Sequence, residues 1–356
     1  MSTRSHAFES VFSVIHDVAI VGGGYAALAA AQTAAAAGRS VLVIDRQAAL
    51  AWESGWAMSG EVGSSDGAGW KAWMESLLQR GAARAGMIDG ALAEICAHDA
   101  LRRCGARLLG YASLMDIERD GDLIRALIVG TKSGMRRVVA RQWIDASEDG
   151  ELLGLADPRW QPPGAVDRSI QLYFRHDHRP LPSTTVVACA ALPGADLVWS
   201  PTLWSDESMV RVRLPAVGGD ARSAWVPALA AVRDALPDAM ARAVLTHGSV
   251  LPFPRYGAIS SHASPAANLA QAVPSLSATG CATIAERFRL GELAAAALAP
   301  ARRAAPSATV FDEPIAEPAA AIERAEVVVA GTGTGGGLAA IAAARAGATV
   351  IAVEPL

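Results

Sequence analysis

One arrangement of glycines and apolar residues occurs twice in this chain of 356 residues. Around Gly22 the chain reads VAIVGGGYAALAAA and continues to VLVIDR, and around Gly331 it reads VVVAGTGTGGGLAA and continues to VIAVEPL. A later glycine and an acidic residue, Asp45 or Glu354, recur at the same spacing in both copies. Such a regular repeat indicates one structural plan used twice: a strand, a tight turn, a helix and a second strand.

The residue types of the first copy suit the binding of a nucleotide. Gly22 permits the tight turn, Gly24 lets the backbone approach a pyrophosphate, and Ala27 is small enough for the helix and strand to pack closely. The helix N-terminus offers unpaired N–H groups and the positive end of its dipole to phosphates. Asp45 follows about 20 residues later, where a carboxylate can accept a hydrogen bond from a ribose hydroxyl. The pattern predicts a dinucleotide site.

The composition indicates a folded protein with a large core and argues against several classes. Apolar residues make up 52% of the chain, and the formal net charge of −4 comes without a Lys- or Arg-rich block, so nucleic acid is not an expected partner. The four cysteines have neither paired nor zinc-type spacing, so no metal site is expected. The N-terminus lacks a signal-peptide pattern and the apolar stretches are too short to span a bilayer, which predicts a cytoplasmic protein without membrane association.

The segment after the first copy combines an irregular loop with helices. The Gly/Ser-rich stretch WESGWAMSGEVGSSDGAG contains Trp52 and Trp56; it either faces the far end of a bound cofactor or is a surface loop whose tryptophans pack on the core. Residues 70–80 and 89–104 have helical periodicity. The second of these helices has Asp89 as a candidate N-cap and apolar residues at Leu92, Ile95 and Cys96.

Between residues 106 and 144 the hydrophobic period becomes that of strands. The runs RLLGYASLMDIE, LIRALIVG and MRRVVARQWID are separated by Asp120-Gly121 and Ser133-Gly134, which are typical of hairpin turns. This predicts an antiparallel meander that runs directly into the phrase IDASEDGELLGLA.

These segments together resemble a known family. The opening fingerprint with Asp45-Arg46, the segment GARLLGYASLMDI and the phrase at 144–156 are similar to the FAD-dependent oxidoreductase family of the glutathione-reductase-type FAD-binding superfamily. The resemblance implies FAD as the cofactor. It also implies an α/β fold: a Rossmann domain with an antiparallel meander and an inserted mixed substrate domain. The residues that it places at the cofactor are Gly22, Gly23, Gly24, Tyr25, Ala26, Asp45, Arg46, Leu114, whose backbone would meet the adenine, Ala146, Thr279 and Gly280.

The late segment NLAQAVPSLSATGCATIAERFRLGELAAAAL resembles the closing element of the family, which carries a Gly-Arg pair near the pyrophosphate and flavin. In this chain Val273-Pro274 stands at that place. Without the glycine the backbone approaches less closely, and without the arginine a phosphate-facing cation is lost. This departure keeps an alternative open, in which residues 16–298 form a non-catalytic, cofactor-poor scaffold that supports a second FAD-binding domain downstream.

The patterns divide the chain into four parts. The FAD-binding domain is expected over 16–156 and 268–298, the substrate domain over 157–267 and a Pro/Ala-rich linker over 299–325. The second fingerprint, at 326–356, is the start of a second Rossmann domain with one strand, one helix and one strand, which cannot bury their own apolar faces. We expect either a truncated reading frame or a second subunit or downstream domain that completes it.

The inserted segment carries the polar candidates for chemistry. His176 and His178 follow the strand-like run SIQLYF and would share one face if the strand continued. They could then ligate a metal, although no third ligand is near, transfer a proton or contact the substrate, and the alternative is a solvated loop. Arg255 and Tyr256 either present a cation and a phenol to an anionic substrate or have structural roles. Further along, TTVVACA predicts a strand, and residues 222–245 predict a helix interrupted by a proline.

The function that these features predict is an FAD-dependent oxidoreductase that transfers a hydride from a small-molecule substrate to the flavin. The flavin performs the redox step, while the protein sets orientation and polarity. The sequence has no GxSxG, HExxH or GxxxxGK[ST] motif, which argues against hydrolase and NTPase readings. The meander and the IDAS phrase disfavour an NAD-linked dehydrogenase. The sequence assigns neither a catalytic base nor the substrate and the electron acceptor.

Overall fold

The computed structural model describes residues 10–47, 49–60, 62–84, 86–162, 164–177, 185–187, 192, 194–215, 224–257, 263–277, 280–299 and 323–354. The chain forms two compact units, 1–315 and 316–356. The strands are β1 (Ile15–Val21), β2 (Val41–Asp45), β3 (Ala83–Arg84), β4 (Met87–Ile88), β5 (Arg107–Gly110), β6 (Ser113–Asp120), β7 (Leu123–Thr131), β8 (Gly134–Asp145), β9 (Ala165–His176), β10 (Thr185–Val187), β11 (Asp196–Pro201), β12 (Glu207–Pro215), β13 (Ala243–Gly248), β14 (Phe253–Tyr256), β15 (Leu269–Gln271), β16 (Val327–Ala330) and β17 (Val350–Val353). The helices are α1 (Tyr25–Ala36), α2 (Trp52–Gly55), α3 (Ala68–Gln79), α4 (Gly90–Arg103), α5 (Glu151–Ala156), α6 (Trp225–Ala235), α7 (Pro237–Met240), α8 (Ile284–Ala296) and α9 (Thr334–Arg345).

The first sheet of the larger unit has a parallel part and an antiparallel part. Strands β5, β2, β1 and β8 lie side by side and parallel, and β7 and β6 continue the sheet antiparallel from β8. Strand β15 pairs parallel with the C-terminal residues of β8, Trp143 to Asp145, so the segment after the insertion returns to this sheet. Strands β1 and β2 are almost fully buried, which explains their continuous apolar runs. The fold is α/β, as the sequence predicts.

The predicted meander is confirmed over β6, β7 and β8, with turns at the Asp-Gly and Ser-Gly pairs. Its first run was predicted as one strand, and this is wrong. Tyr111 takes a left-handed backbone conformation with φ of 54° and divides the run into β5 and β6. Because of this break, β5 joins the parallel part beside β2, while β6 turns away into the meander.

Helix α4 begins as predicted, and of its three predicted apolar positions Cys96 is buried, Leu92 is partly buried and Ile95 is exposed. The Asp89 carboxylate accepts a hydrogen bond from the Leu92 backbone N–H at 2.9 Å, which is the predicted N-cap. Ile95, predicted to belong to the apolar face, is 63% exposed. The residues that pack inward are Ala93, Cys96, Ala97, Ala100 and Leu101.

The second sheet of the larger unit is antiparallel, with the order β10, β11, β12, β9, β13, and β14 also pairs with β9. Helix α6 packs on it through Ala228 and Val232, and Phe174 and Trp199 fill the same core. The helix predicted over 222–245 corresponds to α6 and α7, but its last residues form β13 instead, because they pair with β9. Of the predicted strand TTVVACA, residues 185–187 form β10 and the rest lies outside the described residues.

The smaller unit has the strand, helix and strand that the second fingerprint predicts. Strands β16 and β17 are parallel, with α9 between them along the chain. None of the residues described in α9 is buried, and Val328 and Leu338 are each 63% exposed. That another subunit or domain covers these apolar side chains stays a prediction. None of the helices that the structure describes has both the length and the apolar character needed to cross a membrane.

Candidate functional site

The turn between β1 and α1 lies directly against the end of β8. Gly22 has φ of +118°, and a Cβ there would lie 2.4 Å from the Ala146 carbonyl oxygen. Both the backbone conformation and the lack of space therefore require glycine at this position. Strand pairing between Val21 and Asp145 holds the two segments together. The IDAS phrase thus forms one wall of the site that the glycines open.

Asp45 ends β2 beside this turn. Its carboxylate accepts a hydrogen bond from the Gln47 backbone N–H at 2.8 Å, and a Cβ on Gly23 would lie 2.8 Å from its Cγ. The next residue, Arg46, is largely exposed and lies 3.6 Å from the Glu151 carboxylate. The carboxylate is therefore held close to the glycine turn, in the position expected for an acceptor of ribose hydroxyls.

A cavity of about 390 Å³ opens in front of these residues. Of the residues predicted to hold the cofactor, six line it: Gly22, Gly23, Asp45, Arg46, Leu114 and Ala146. Four acidic side chains also line it, namely Asp45, Glu148, Asp149 and Glu151, together with two basic ones, Arg46 and Arg168. The structure thus brings together sequence segments that are far apart in the chain, and their role in binding stays a prediction.

The N-terminus of α1 is occupied by a carboxylate from α2. Both oxygens of Glu53 lie within hydrogen-bonding distance of the Tyr25 backbone N–H, at 3.0 and 3.1 Å. Glu53 is 1% exposed, and burial raises the pKa of its carboxyl group to about 7, against the lowering effect of Arg287. The irregular loop predicted here therefore contains a short helix with a buried acid.

FAD, the cofactor that the resemblance implies, meets two different environments at this site. The glycine turn, the Asp45 carboxylate and the strand around Leu114 fit a nucleoside. At Gly24, where backbone should be open to a pyrophosphate, a Cβ would lie 2.5 Å from Glu53 Oε1. The Glu53 carboxylate thus lies beside Gly24 where a phosphate should approach, and like charges repel each other, so the residues present do not fit the phosphates of the cofactor.

A buried arginine joins this region to the closing helix. Arg287 on α8 is fully buried and donates to both oxygens of Glu148, at 2.5 and 2.9 Å, and to the Pro254 carbonyl at 3.0 Å. Its guanidinium also lies 3.7 Å from Glu53 Oε1 and over the Phe253 ring at 4.5 Å from the centroid. The three charged groups form the Glu53–Arg287–Glu148 cluster, in which Glu53 and Arg287 are buried and Glu148 reaches the cavity.

Asp145 fixes the backbone that follows β8. Its side chain is fully buried and accepts hydrogen bonds from the Ser147 hydroxyl at 2.6 Å and from the Leu153 backbone N–H at 2.8 Å. Burial raises the pKa of this carboxyl group to about 6, although these hydrogen bonds lower it. Asp145 thus shapes the wall of the cavity and does not line it.

A second cavity, of about 510 Å³, lies between the second sheet and the segments around Met58 and Met87. On its sheet side the rings of Tyr173 and His247 are stacked, with centroids 4.6 Å apart. The Tyr173 hydroxyl donates to the Met58 carbonyl at 3.1 Å, and burial raises the pKa of this phenol. Other lining residues are Trp204, Glu207, Met209 and Arg211. The cavity combines apolar and aromatic walls with a few polar groups, which is typical of small-molecule sites.

The residues predicted as catalytic candidates do not lie together at one site. His176 lies at the end of β9, with Nε2 3.1 Å from the Ser208 hydroxyl, and lines neither cavity described above; His178 lies outside the described residues. Arg255 forms an ion pair with Asp167, whereas Tyr256 lines the first cavity and donates to Asp149 at 3.2 Å. Within the described residues, no group of three His, Cys, Asp or Glu side chains is arranged to hold a metal.

The closing segment supplies packing beside the cavity. Val273 is 1% exposed and belongs to the core of the first sheet, and Pro274 begins a 3₁₀ helix. Gly280 has φ of +68°, and a Cβ there would lie 1.9 Å from the Tyr256 carbonyl oxygen, so this glycine allows close packing on β14. Thr279 lies outside the described residues. Ala26, also predicted at the cofactor, is buried where α1 packs against α8.

Sequence reasoning missed Glu53 and Arg287, two charged residues that are almost completely buried beside the site. Glu53 lies in a stretch without periodicity, where no pattern separates an inward from an outward side chain. The start of α8 had a readable signal, because Thr283 and Glu286 form a capping box. A helix begun at that box places Arg287 within its first turns, but its burial depends on contacts with distant segments.

Comparison with known proteins agrees with this architecture. Residues 17–180 match the model of the family described as FAD dependent oxidoreductase, and no curated protein sequence matches the chain. A geranylgeranyl bacteriochlorophyll reductase-like protein from Thermoplasma acidophilum has a TM-score of 0.58 at 13% identity, over 79% of this chain and 77% of that one. The flavin-dependent brominase Bmp2 has a TM-score of 0.57 at 13% identity, over 80% and 79%. Glycine oxidase from Bacillus cereus has a TM-score of 0.52 at 14% identity, over 79% and 96%. At these identities the likeness shows the fold.

Proposed function

We propose that this chain, whose residues 17–180 match the model of the FAD-dependent oxidoreductase family, is a flavin-dependent oxidoreductase that acts on a small molecule. The observation that carries the proposal is one cavity lined by Gly22, Asp45 and Ala146, the three elements that the family fingerprint predicts around an adenosine. The finer prediction, that a hydride passes from the substrate to the flavin, is part of the same proposal.

The second cavity is the substrate site in this proposal. Its methionines can adapt to an apolar ligand, and the stacked Tyr173 and His247 offer a flat aromatic wall with hydrogen-bonding atoms. Glu207 and Arg211 supply polar anchors on the sheet side. These features favour a small, largely apolar substrate with one or two polar groups.

The scaffold alternative also has a specific observation in its favour. The carboxylate of Glu53 lies where the phosphates of a dinucleotide should approach Gly24, and Val273-Pro274 replaces the phosphate-facing pair of the closing element. A unit of this kind would keep the fold, without a cofactor, as support for another domain.

A titration of the full chain with FAD tests the proposal against the scaffold alternative. We expect saturable quenching of FAD fluorescence that is reversed by excess adenosine, because the adenosine half of the cofactor would provide the contacts. If neither FAD nor adenosine binds to the folded chain, the proposed function is wrong and the scaffold is favoured.

The substrate cavity can be tested on the flavin-loaded chain. Small apolar molecules should perturb the visible spectrum of bound flavin, and Met209→Trp should abolish this effect by filling the cavity. Met115→Trp is the matched control, because Met115 is 51% exposed on the meander. Equal perturbation in both variants would show that substrates bind elsewhere.

A further inference from the structure

The carboxylate of Glu53 holds the place of an anionic ligand at the N-terminus of α1. The helix dipole and the unpaired N–H groups of a first turn attract negative charge. Here the Tyr25 N–H, in the first turn, meets both Glu53 oxygens, at 3.0 and 3.1 Å. The side chain is 1% exposed, so the interaction lies inside the protein.

The space in front of Gly24 is also filled. A Cβ on this glycine would lie 2.5 Å from Glu53 Oε1 and 2.9 Å from the indole nitrogen of Trp52. Gly22 and Gly23 line the first cavity, and among the described residues that line it Gly24 is absent. The cavity therefore reaches the part of the turn that would face an adenosine and stops before the part that would face the phosphates.

The Glu53–Arg287–Glu148 cluster holds this carboxylate in place. Arg287 lies 3.7 Å from Glu53 Oε1 while it pairs bidentately with Glu148, so one buried cation serves two acids. A pyrophosphate brought to the same place would add negative charge to a cluster in which two carboxylates already share one cation.

We infer that Glu53 competes with the phosphates of a nucleotide for the N-terminus of α1. The chain then binds the adenosine part of the nucleotide and admits the phosphates only when Glu53 withdraws. This inference rests on the proposed function, because it takes the first cavity to be an adenosine site. It identifies Glu53 as the residue that sets how tightly a dinucleotide is held.

Calorimetric titration of the full chain with adenosine and with ADP tests the inference at pH 8, where Glu53, with a pKa of about 7, is ionised. We expect the wild type to bind the two ligands within about threefold of each other, because Glu53 already occupies the Tyr25 N–H that a phosphate would use. Glu53→Ala should tighten ADP binding by about tenfold or more and leave adenosine binding within about twofold. Glu53→Gln removes the charge and keeps the size, so it separates charge repulsion from steric exclusion.

Glu292→Gln is the matched control. Glu292 is also buried and caps the start of α3 by accepting from the Gly69 N–H at 3.0 Å. It should leave the ratio of ADP to adenosine affinity unchanged. Circular dichroism shows whether each variant is folded, and a wild type that clearly prefers ADP overturns the inference even if a variant does not fold.

Two results would overturn the inference. A wild type that prefers ADP to adenosine by about tenfold would show that Glu53 does not exclude the phosphates, and the proposed function would stand. An unchanged ratio of ADP to adenosine affinity in a folded Glu53→Ala variant would also show that Glu53 does not exclude the phosphates. By contrast, if the wild type and all variants bind neither ligand, the proposed function itself fails, and the inference fails with it.

Discussion

Arg287 and Glu148 form a bidentate ion pair in which the guanidinium is completely buried, with N···O distances of 2.5 and 2.9 Å. The glutamate follows the strand that walls the first cavity, and the arginine comes from the closing helix. Glu53 Oε1 lies 3.7 Å from the same guanidinium. One charged side chain therefore links three segments that are distant in the sequence.

We expect Arg287→Met to lower the free energy of unfolding by about 3 to 5 kcal/mol, because it leaves buried carboxylates without their cation. Urea denaturation at neutral pH measures the loss. Arg137→Gln is the control: its ion pair with Glu118 is about two fifths exposed on both sides, and its loss should cost less than about 1 kcal/mol. Similar losses in the two variants would contradict the structural role of Arg287.

Local sequence patterns predicted the parts of the fold that local chemistry decides. The turn at Gly22, the hairpin at Asp120-Gly121 and the N-cap at Asp89 each depend on one residue type at one position, and each is found. The break at Tyr111 was missed, since a non-glycine residue in a left-handed conformation has no local signal. The prediction for α4 was wrong at Ile95, because neighbouring helices and strands select which residues of the helix face inward.

The packing of α1 on α8 depends on Gly291. A Cβ at this position would lie 2.0 Å from the Ala26 carbonyl oxygen and 2.9 Å from the Ala30 nitrogen. In an exposed helix Gly→Ala stabilises by up to about 1 kcal/mol. Here we expect Gly291→Ala to destabilise by about 1 to 3 kcal/mol, because the helices must separate. Thermal unfolding measures the change.

Gly154→Ala in α5 is the control for this prediction. A Cβ there would lie 3.5 Å from the Trp160 ring, which is ordinary contact. The control should change the melting temperature little or raise it slightly. A Gly291→Ala variant as stable as the wild type would mean that α1 and α8 are not packed as closely as the structure shows.

Asp45 should recognise ribose if the first cavity holds an adenosine. We expect Asp45→Ala to weaken adenosine binding by about tenfold, because the hydroxyls lose a charged acceptor. The binding of 2′,3′-dideoxyadenosine, which lacks these hydroxyls, should be the same in the wild type and the variant. Equal weakening for both ligands would mean that Asp45 acts only on the structure of the turn.

Part of the site could be predicted from the sequence, because there, as in the predicted parts of the fold, local chemistry fixes the residue type at each position. The sequence gives Gly22, Asp45 and Ala146 because the fingerprint specifies residue types, and these residues do line one cavity. Glu53 and Arg287 could not be predicted, since charged residues are usually exposed. Their burial depends on partners that are distant in the sequence: Glu53 accepts from the Tyr25 N–H, and Arg287 pairs with Glu148.

Stability should fall as the pH rises through the range in which Glu53 loses its proton. Burial raises the pKa of this carboxyl group from 4.5 to about 7, so between these values the folded chain holds a proton that the unfolded chain has released. The folded state therefore loses stability as the pH rises from about 4.5 to about 7. Glu53→Gln removes this pH dependence. The difference in free energy of unfolding, variant minus wild type, should therefore rise by on the order of 2 kcal/mol between about pH 4.5 and about pH 7.

Asp145→Asn provides the comparison for this measurement. The pKa of Asp145 is raised from 3.8 to about 6, so the relative stability of its variant should rise over a lower pH range than that of Glu53→Gln. Urea denaturation of the three proteins at several pH values between 4 and 8 gives both curves. If the difference between Glu53→Gln and the wild type is flat across this range, Glu53 is not a buried acid with a raised pKa.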